Sequence, residues 1–226
     1  MLVLLREVPK VPEELYVATL YARAVTMFQG AALLAERGMA TESRMLVRGC
    51  AETAIALGCA RRDKTFLKQL DEDHDKHRIS TANDLLSLPE DDPNVSQEQR
   101  AELRRLIAEV TAQYKRPHPN RINWAVASSA AKMTDLYLTV YRQTSSDAAH
   151  VTLRALDRHI ASDAGGTIVG FQFRPYPEDS ADTLSSSIAA LLHATEAKLH
   201  GLGDTAAGNA LLALAREWRA LVESSE

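Results

Sequence analysis

Residues 141–150 read YRQTSSDAAH and place an arginine, two serines and a histidine close together. If the stretch is one continuous helix, Ser146 and His150 are four apart and about 40° apart around the axis, so they share a face. Arg142 lies a further turn back on the side of Ser146, about 80° from His150. A histidine near its ordinary pKa takes or gives a proton at neutral pH. An arginine beside it can hold a phosphate and stabilise developing charge. These are the parts for metal-free RNA cleavage, in which a base activates the 2′-hydroxyl. The same stretch has a plainer reading. Thr144, Ser145, Ser146 and Asp147 are all N-cap types, which equally suit the end of one helix and the start of the next. His150 is then a structural residue bonded to a neighbouring turn.

A second set is Arg44, Arg48 and Glu52, which line up one turn apart on a helix. The bland reading is a solvated ion pair worth a few tenths of a kcal/mol, with the arginine on the less favourable side of the glutamate. The sharper reading starts from their neighbours, because Leu46, Cys50, Ile55 and Leu57 make this helix otherwise apolar. A charged pair in such surroundings suits a polar pocket shared with His150. The loop YKRPHPNR holds Lys115, Arg116 and Arg121 with Tyr114 and His118 among them, a composition that can grip a phosphate backbone or a stacked base. Inert surface loops share that composition.

Metal chemistry is not expected. Asp71, His74, Asp75 and His77 have ligand types at helical spacing, but they sit in the charge run LDEDHDKHR, which should face water. His193, Glu196 and His200 fall on one face, yet the second Glu-x-x-His that a di-iron bundle needs is missing. There is no Gly-rich phosphate loop, zinc spacing or nucleophile elbow. No cofactor is expected.

The elements that must position these groups are helices. Pro12 suits a first helical turn, and Leu15, Ala18, Ala22, Val25, Phe28, Ala32 and Leu33 form an apolar stripe that Gly38 ends. ESRMLVRGCAETAIALGCARR follows after a very short turn, so the two helices form an antiparallel hairpin. A third helix is expected over 64–87, with Phe66, Leu67, Leu70, Leu85 and Leu86 inward. Ser96 and Gln99 match a capping box that starts a fourth at 97. The prolines of KRPHPNR break it. A long helix is expected over 121–143, then another through AAHVTLRALDRHIA, stopped by Gly165 and Gly166. TIVGFQFRP reads as one short extended segment near 167–174. Two last helices, about 180–200 and 205–222, flank HGLGD, with Asp204 as N-cap. No repeat period or linker divides the chain. The expectation is all-α: a single helical domain over 1–226, with a core at 12–165 and a C-terminal hairpin at 178–224.

Composition is that of an ordinary globular chain, 46% hydrophobic and 25% charged over 226 residues. A net charge of −4 gives no global field to draw in nucleic acid or an anionic membrane. Cys50 and Cys59 are roughly 13 Å apart along one helix, too far for a disulfide, and read as reduced core residues. The opening MLVLLREVPKVP does not make a signal peptide, and no window approaches ~20 uninterrupted apolar residues, so a cytoplasmic chain without a membrane partner is expected.

With those residues in hand, the layout resembles a group of uncharacterised bacterial helical domains. In these, an early helix carries an Arg-x-x-x-Glu step, here Arg48 to Glu52. A later stretch runs Tyr, Ser, three residues, His, here Tyr141, Ser146 and His150. The resemblance covers roughly 15–165. The group is similar in style to the HEPN helical superfamily, many of whose members are metal-independent ribonucleases of toxin–antitoxin and phage-defence systems. That resemblance implies an RNA substrate, a homodimer whose two Arg-x(4–6)-His motifs meet at one cleft, and a protein partner such as an antitoxin. It further implies His150 as acid/base, Arg142 or Arg48 as phosphate partner, and Ser146 and Glu52 as positioning residues. Here seven residues separate Arg142 from His150, and Gln143 replaces the usual Asn, Asp or His. The departure suits an inactive relative, or one that draws its arginine from elsewhere, such as Arg48. The competing expectation is a non-catalytic helical module for dimerisation or partner binding.

Overall fold

In the computed structural model, which describes residues 11–114, 119–148, 152–172, 175, 177–200 and 202–224, the chain is predominantly helical. It divides into two compact units, one formed by Lys64–Asn123 and the other by the residues up to Asp63 with those from Trp124 onward.

The larger unit is built on a hairpin. α1 (Pro12–Glu36) opens with Pro in its first turn and Glu13 and Glu14 at its positive end. Gly38 stops it at φ 72°, a left-handed conformation that glycine adopts without a Cβ clash. α2 (Ala40–Arg62) then runs back antiparallel. The α1 face that packs differs from the expected stripe: Val17, Ala18, Ala24, Ala31 and Ala35 are buried, whereas Leu15 and Leu33 are about half exposed. Close approach explains the change. A Cβ added at Gly30 would sit 2.7 Å from Leu46 Cδ1, and Ser43 Oγ donates to the Ala31 carbonyl at 2.7 Å. Helices this near admit alanines between them and push leucines to the flanks. By length and composition alone α1 could also cross a membrane; here its small-residue face lies on α2 and on the later helix Ser180–Leu199.

From Cys50 to Cys59 α2 is buried on almost every side, as befits a helix with apolar residues all round. Burial pushes the Cys50 thiol pKa up to about 12 and that of Cys59 up to about 11, with Asp63 adding to the rise. Both thiols are free.

The expected helix over 121–143 is broken. α5 (Trp124–Ala130) ends in a turn where Lys132 takes φ 59°, and the chain resumes as a short turn, α6 (Thr134–Leu136). Ala131 and Met133 on either side of Lys132 are buried and touch α2 at Gly58, 3.0 and 3.1 Å from where a Cβ would stand. Burying both residues against one glycine requires the reversal, so tertiary packing overrides helix propensity. A π turn (Tyr137–Tyr141) follows, in which the Arg142 N–H reaches the Tyr137 carbonyl. It continues as α7 (Arg142–Ala148).

The helix expected through Ala161 is confined to α8 (Leu153–Asp157). Ile160–Ser162 instead forms β1, antiparallel to β2 (Ile168–Phe171), with Ile160 opposite Phe171. The extended segment therefore has a partner. Asp163 Oδ1 accepts from the Gly165 and Thr167 N–H groups at 2.9 Å and shapes the turn. The last two helices are α9 (Ser180–Leu199), which packs across α1 and α2, and α10 (Thr205–Glu223), capped by Asp204 accepting from Ala207 N–H at 2.9 Å.

The smaller unit holds α3 (Phe66–Leu86) and α4 (Gln97–Ala112). Ser96 and Gln99 form the reciprocal capping box expected of them. On α3, Phe66, Ile79 and Ala82 are buried, while Leu85 is exposed. The charge run does not simply face water. Asp75 accepts from Tyr114 Oη at 2.7 Å, Glu72 from Asn120 N–H at 2.6 Å and Asp73 from Ile122 N–H at 2.8 Å. These carboxylates tie down the segment after α4, a job that requires position and not only charge. Buried Arg100 donates to the carbonyls of Leu88, at 3.2 Å, and Pro89, just past the C-terminal end of α3, where a cation is favoured.

Candidate functional site

Arg48 sits midway along α2, half-buried, on the side that faces the π turn and α7. Its Nε donates to Ser145 Oγ at 3.0 Å and its Nη2 to Tyr141 Oη at 3.2 Å. The guanidinium carbon also lies 5.0 Å from the centre of the Tyr141 ring, within cation–π range. Arg48 is thus held along one edge and one face by two residues spaced four apart. The π turn contributes to that placement. Tyr137 and Tyr141 stack with centroids 5.2 Å apart, and Trp124 of α5 tilts against Tyr141 at 6.5 Å. Wide turns of this kind recur at functional sites.

Thr144 and Ser145 are not N-caps. Thr144 Oγ1 donates back to the Val140 carbonyl at 2.7 Å and Ser145 Oγ to the Tyr141 carbonyl at 2.6 Å, within an unbroken helical stretch. Ser145 thereby spends its proton on the helix and offers its lone pairs to Arg48.

This arrangement can do two things chemically. It fastens α2 to the 137–145 segment, and it presents a fixed cation beside an aromatic cluster. Guanidinium forks match phosphate and carboxylate oxygens in pairs, and aromatic surfaces accept stacked bases. Glu52, one turn on from Arg48, is half-buried and has a partner of its own. Arg44, one turn before, is directed to α9: its Nε donates to Thr183 Oγ1 at 3.1 Å and its Nη2 lies 3.5 Å from Asp179, which also binds Arg158. Arg44 and Arg48, one turn apart on α2, therefore serve different neighbours.

Other expected positions fall as follows. Arg142 is exposed on α7. The side chain of Ser146, and all of His150, Lys115 and Arg116, lie outside the described residues. Arg121 is exposed in the smaller unit. His193 stands 3.8 Å from both Asp135 and Glu196, but among the described residues no three His, Cys, Asp or Glu side chains are placed to hold a metal. Sequence reading missed the roles of Ser145, Tyr137 and Trp124. The available signal was Tyr-x-x-x-Tyr-x-x-x-Ser from 137 to 145, one residue type per turn on a single face.

No curated protein and no solved structure matches the chain significantly. Residues 14–167, more than half of it, match the model of the family of unknown function DUF5677. That span contains Arg48, Glu52 and the whole π turn. The chain belongs to the DUF5677 family.

Proposed function

We propose that this protein is a metal-independent endoribonuclease of HEPN-like type, working in a toxin–antitoxin or phage-defence setting in the cytoplasm. The observation that supports the reading is Arg48, a guanidinium fixed by Ser145 and by Tyr141, whose ring in turn packs with Tyr137 and Trp124. Arg48 binds the scissile phosphate in place of Arg142, which is exposed one residue beyond Tyr141. His150 takes the proton from the 2′-hydroxyl. The 2′-oxygen attacks phosphorus, the bond to the 5′-oxygen breaks, and that oxygen leaves with a proton. The products are a 2′,3′-cyclic phosphate and a 5′-hydroxyl, with no metal in the balance. Ser146 and Glu52 position the reacting groups, Lys115, Arg116 and Arg121 hold flanking phosphates, and a second copy and an antitoxin are the protein partners.

The test is incubation of the purified protein with single-stranded RNA in excess chelator. Fragments ending in cyclic phosphate are expected, and a 2′-deoxy substitution at the cut site should abolish that cut. Intact RNA across a panel of sequences would end the proposal.

A second reading, a non-catalytic partner-binding module, is favoured by one observation. Leu214 and Leu221, two turns apart on α10, are 57% and 67% exposed, as on a helix face awaiting a partner. Light scattering on Leu214→Lys/Leu221→Lys tests it together with the RNA assay: halved mass in the variant, with no RNA cleavage by wild type, is expected of a module that self-associates through α10, and unchanged mass would end this reading.

A further inference from the structure

An RNA strand cleaved without metal needs two proton transfers, one from the 2′-hydroxyl and one to the departing 5′-oxygen. In the ribonuclease reading His150 takes the first proton and Arg48 holds the phosphate. The second transfer needs a donor that keeps its proton at neutral pH and stands beside that phosphate.

Two nitrogens of Arg48 are committed, Nε to Ser145 and Nη2 to Tyr141. Its Nη1 bonds to none of the described residues and is not sealed from solvent. A phosphate oxygen docked on Nη1 therefore lies next to the nitrogen that already holds Tyr141 Oη at 3.2 Å. Tyr141 Oη accepts in that bond, so its own proton is donated to none of the described residues. The half-buried ring is fixed on several sides. Tyr137 stacks on it at 5.2 Å, Trp124 tilts against it at 6.5 Å, and the guanidinium carbon lies 5.0 Å from its centre. A phenol is protonated at neutral pH, and the phenolate left after transfer faces a cation.

We propose that Tyr141 is the general acid of the reaction, giving its phenolic proton to the 5′-oxygen. The assignment rests on the ribonuclease reading and completes its proton balance. His150 takes the 2′-hydroxyl proton, and the 2′-oxygen bonds to phosphorus. The bond from phosphorus to the 5′-oxygen breaks as Tyr141 protonates that oxygen. The phenolate then regains a proton from water, and the His150 imidazolium gives one up to water.

Tyr141→Phe removes the hydroxyl and keeps the ring, so its circular dichroism should match that of wild type. Its single-turnover cleavage of ordinary RNA in chelator should fall about a hundredfold. An RNA with sulfur in place of the 5′-oxygen at the cut site departs as a thiolate and needs no acid. On that substrate the variant should cleave within about threefold of wild type, a rescue that a residue merely holding Arg48 in place would not show. Undiminished cleavage of ordinary RNA by Tyr141→Phe, or an equal loss on both substrates, would overturn the assignment and leave the ribonuclease reading standing. No cleavage of either RNA by wild type would end both. If Tyr141→Phe does not fold, 3-fluorotyrosine in place of Tyr141 keeps the hydroxyl on a more acidic phenol. The alkaline fall of its pH–rate profile should then move to lower pH on ordinary RNA alone, and an unmoved fall would overturn the assignment.

Discussion

Arg48 makes three interactions at once, to a hydroxyl, a phenol and an aromatic face, and each constrains what can replace it. Lysine has one compact charge and no fork, so Arg48→Lys keeps the charge but cannot reach Ser145 and Tyr141 together. Hydrogen bonds from charged groups are worth about 1.5–3 kcal/mol, and half-burial of Arg48 puts the expected loss at the lower end of that range. Urea denaturation of Arg48→Lys should show a destabilisation of about 1–2 kcal/mol. An unchanged midpoint would mean that the side chain is not a clip. The cysteines make a second residue-scale prediction. Both folded thiols titrate above the ordinary value of 9.0, at about 12 for Cys50 and about 11 for Cys59. A raised folded pKa stabilises the folded state fully below the unfolded value, and that contribution is lost as pH climbs from about 9 through 11 to 12. The melting-temperature advantage of wild type over Cys50→Ala should therefore hold steady between pH 7 and 8.5 and shrink above pH 9. Native thiols should also resist a disulfide reagent at pH 8 and react after unfolding.

At the scale of elements, the legible features were those with a local cause. Gly38, the Ser96–Gln99 box and Asp204 mark helix ends through their own backbone or side-chain chemistry, and each end lies where that chemistry puts it. The break at Lys132 has no such local signal. It arises because Ala131 and Met133 pack against Gly58, more than seventy positions earlier in the chain. A positive φ at Lys132 is strained for any residue with a Cβ and most for a β-branched one. Lys132→Val should accordingly destabilise by about 1–2 kcal/mol, and Lys132→Gly should be neutral or stabilising, as thermal denaturation would read. Equal effects of the two would show that backbone strain is not stored there. The acidic run on α3 has the same lesson in another form. Composition marks it as hydrophilic, but only the fold says that Glu72, Asp73 and Asp75 each meet a defined donor.

At the scale of the molecule, the predominance of helix was legible, because apolar periodicity and glycine stops agree along most of the chain, though not at Lys132 or at Ile160–Ser162. What periodicity could not supply was which stripe of α1 packs. That choice depends on how closely α2 approaches, and so on Gly30, Ser43 and the alanines between them. The candidate site was legible in part. Arg48 was singled out because a charge stood in an apolar helix, but its contacts with Tyr141 and Ser145 join elements more than ninety positions apart. The central claim is that this fixed guanidinium serves a phosphodiester with His150 as proton acceptor. The most direct measurement is the single-turnover rate of RNA cleavage in chelator by wild type, His150→Ala and Arg48→Ala, each first shown to be folded by circular dichroism. The account predicts metal-independent cleavage in wild type and a loss of at least about a hundredfold in each variant. Cleavage at an undiminished rate in His150→Ala, or none in wild type, would contradict it.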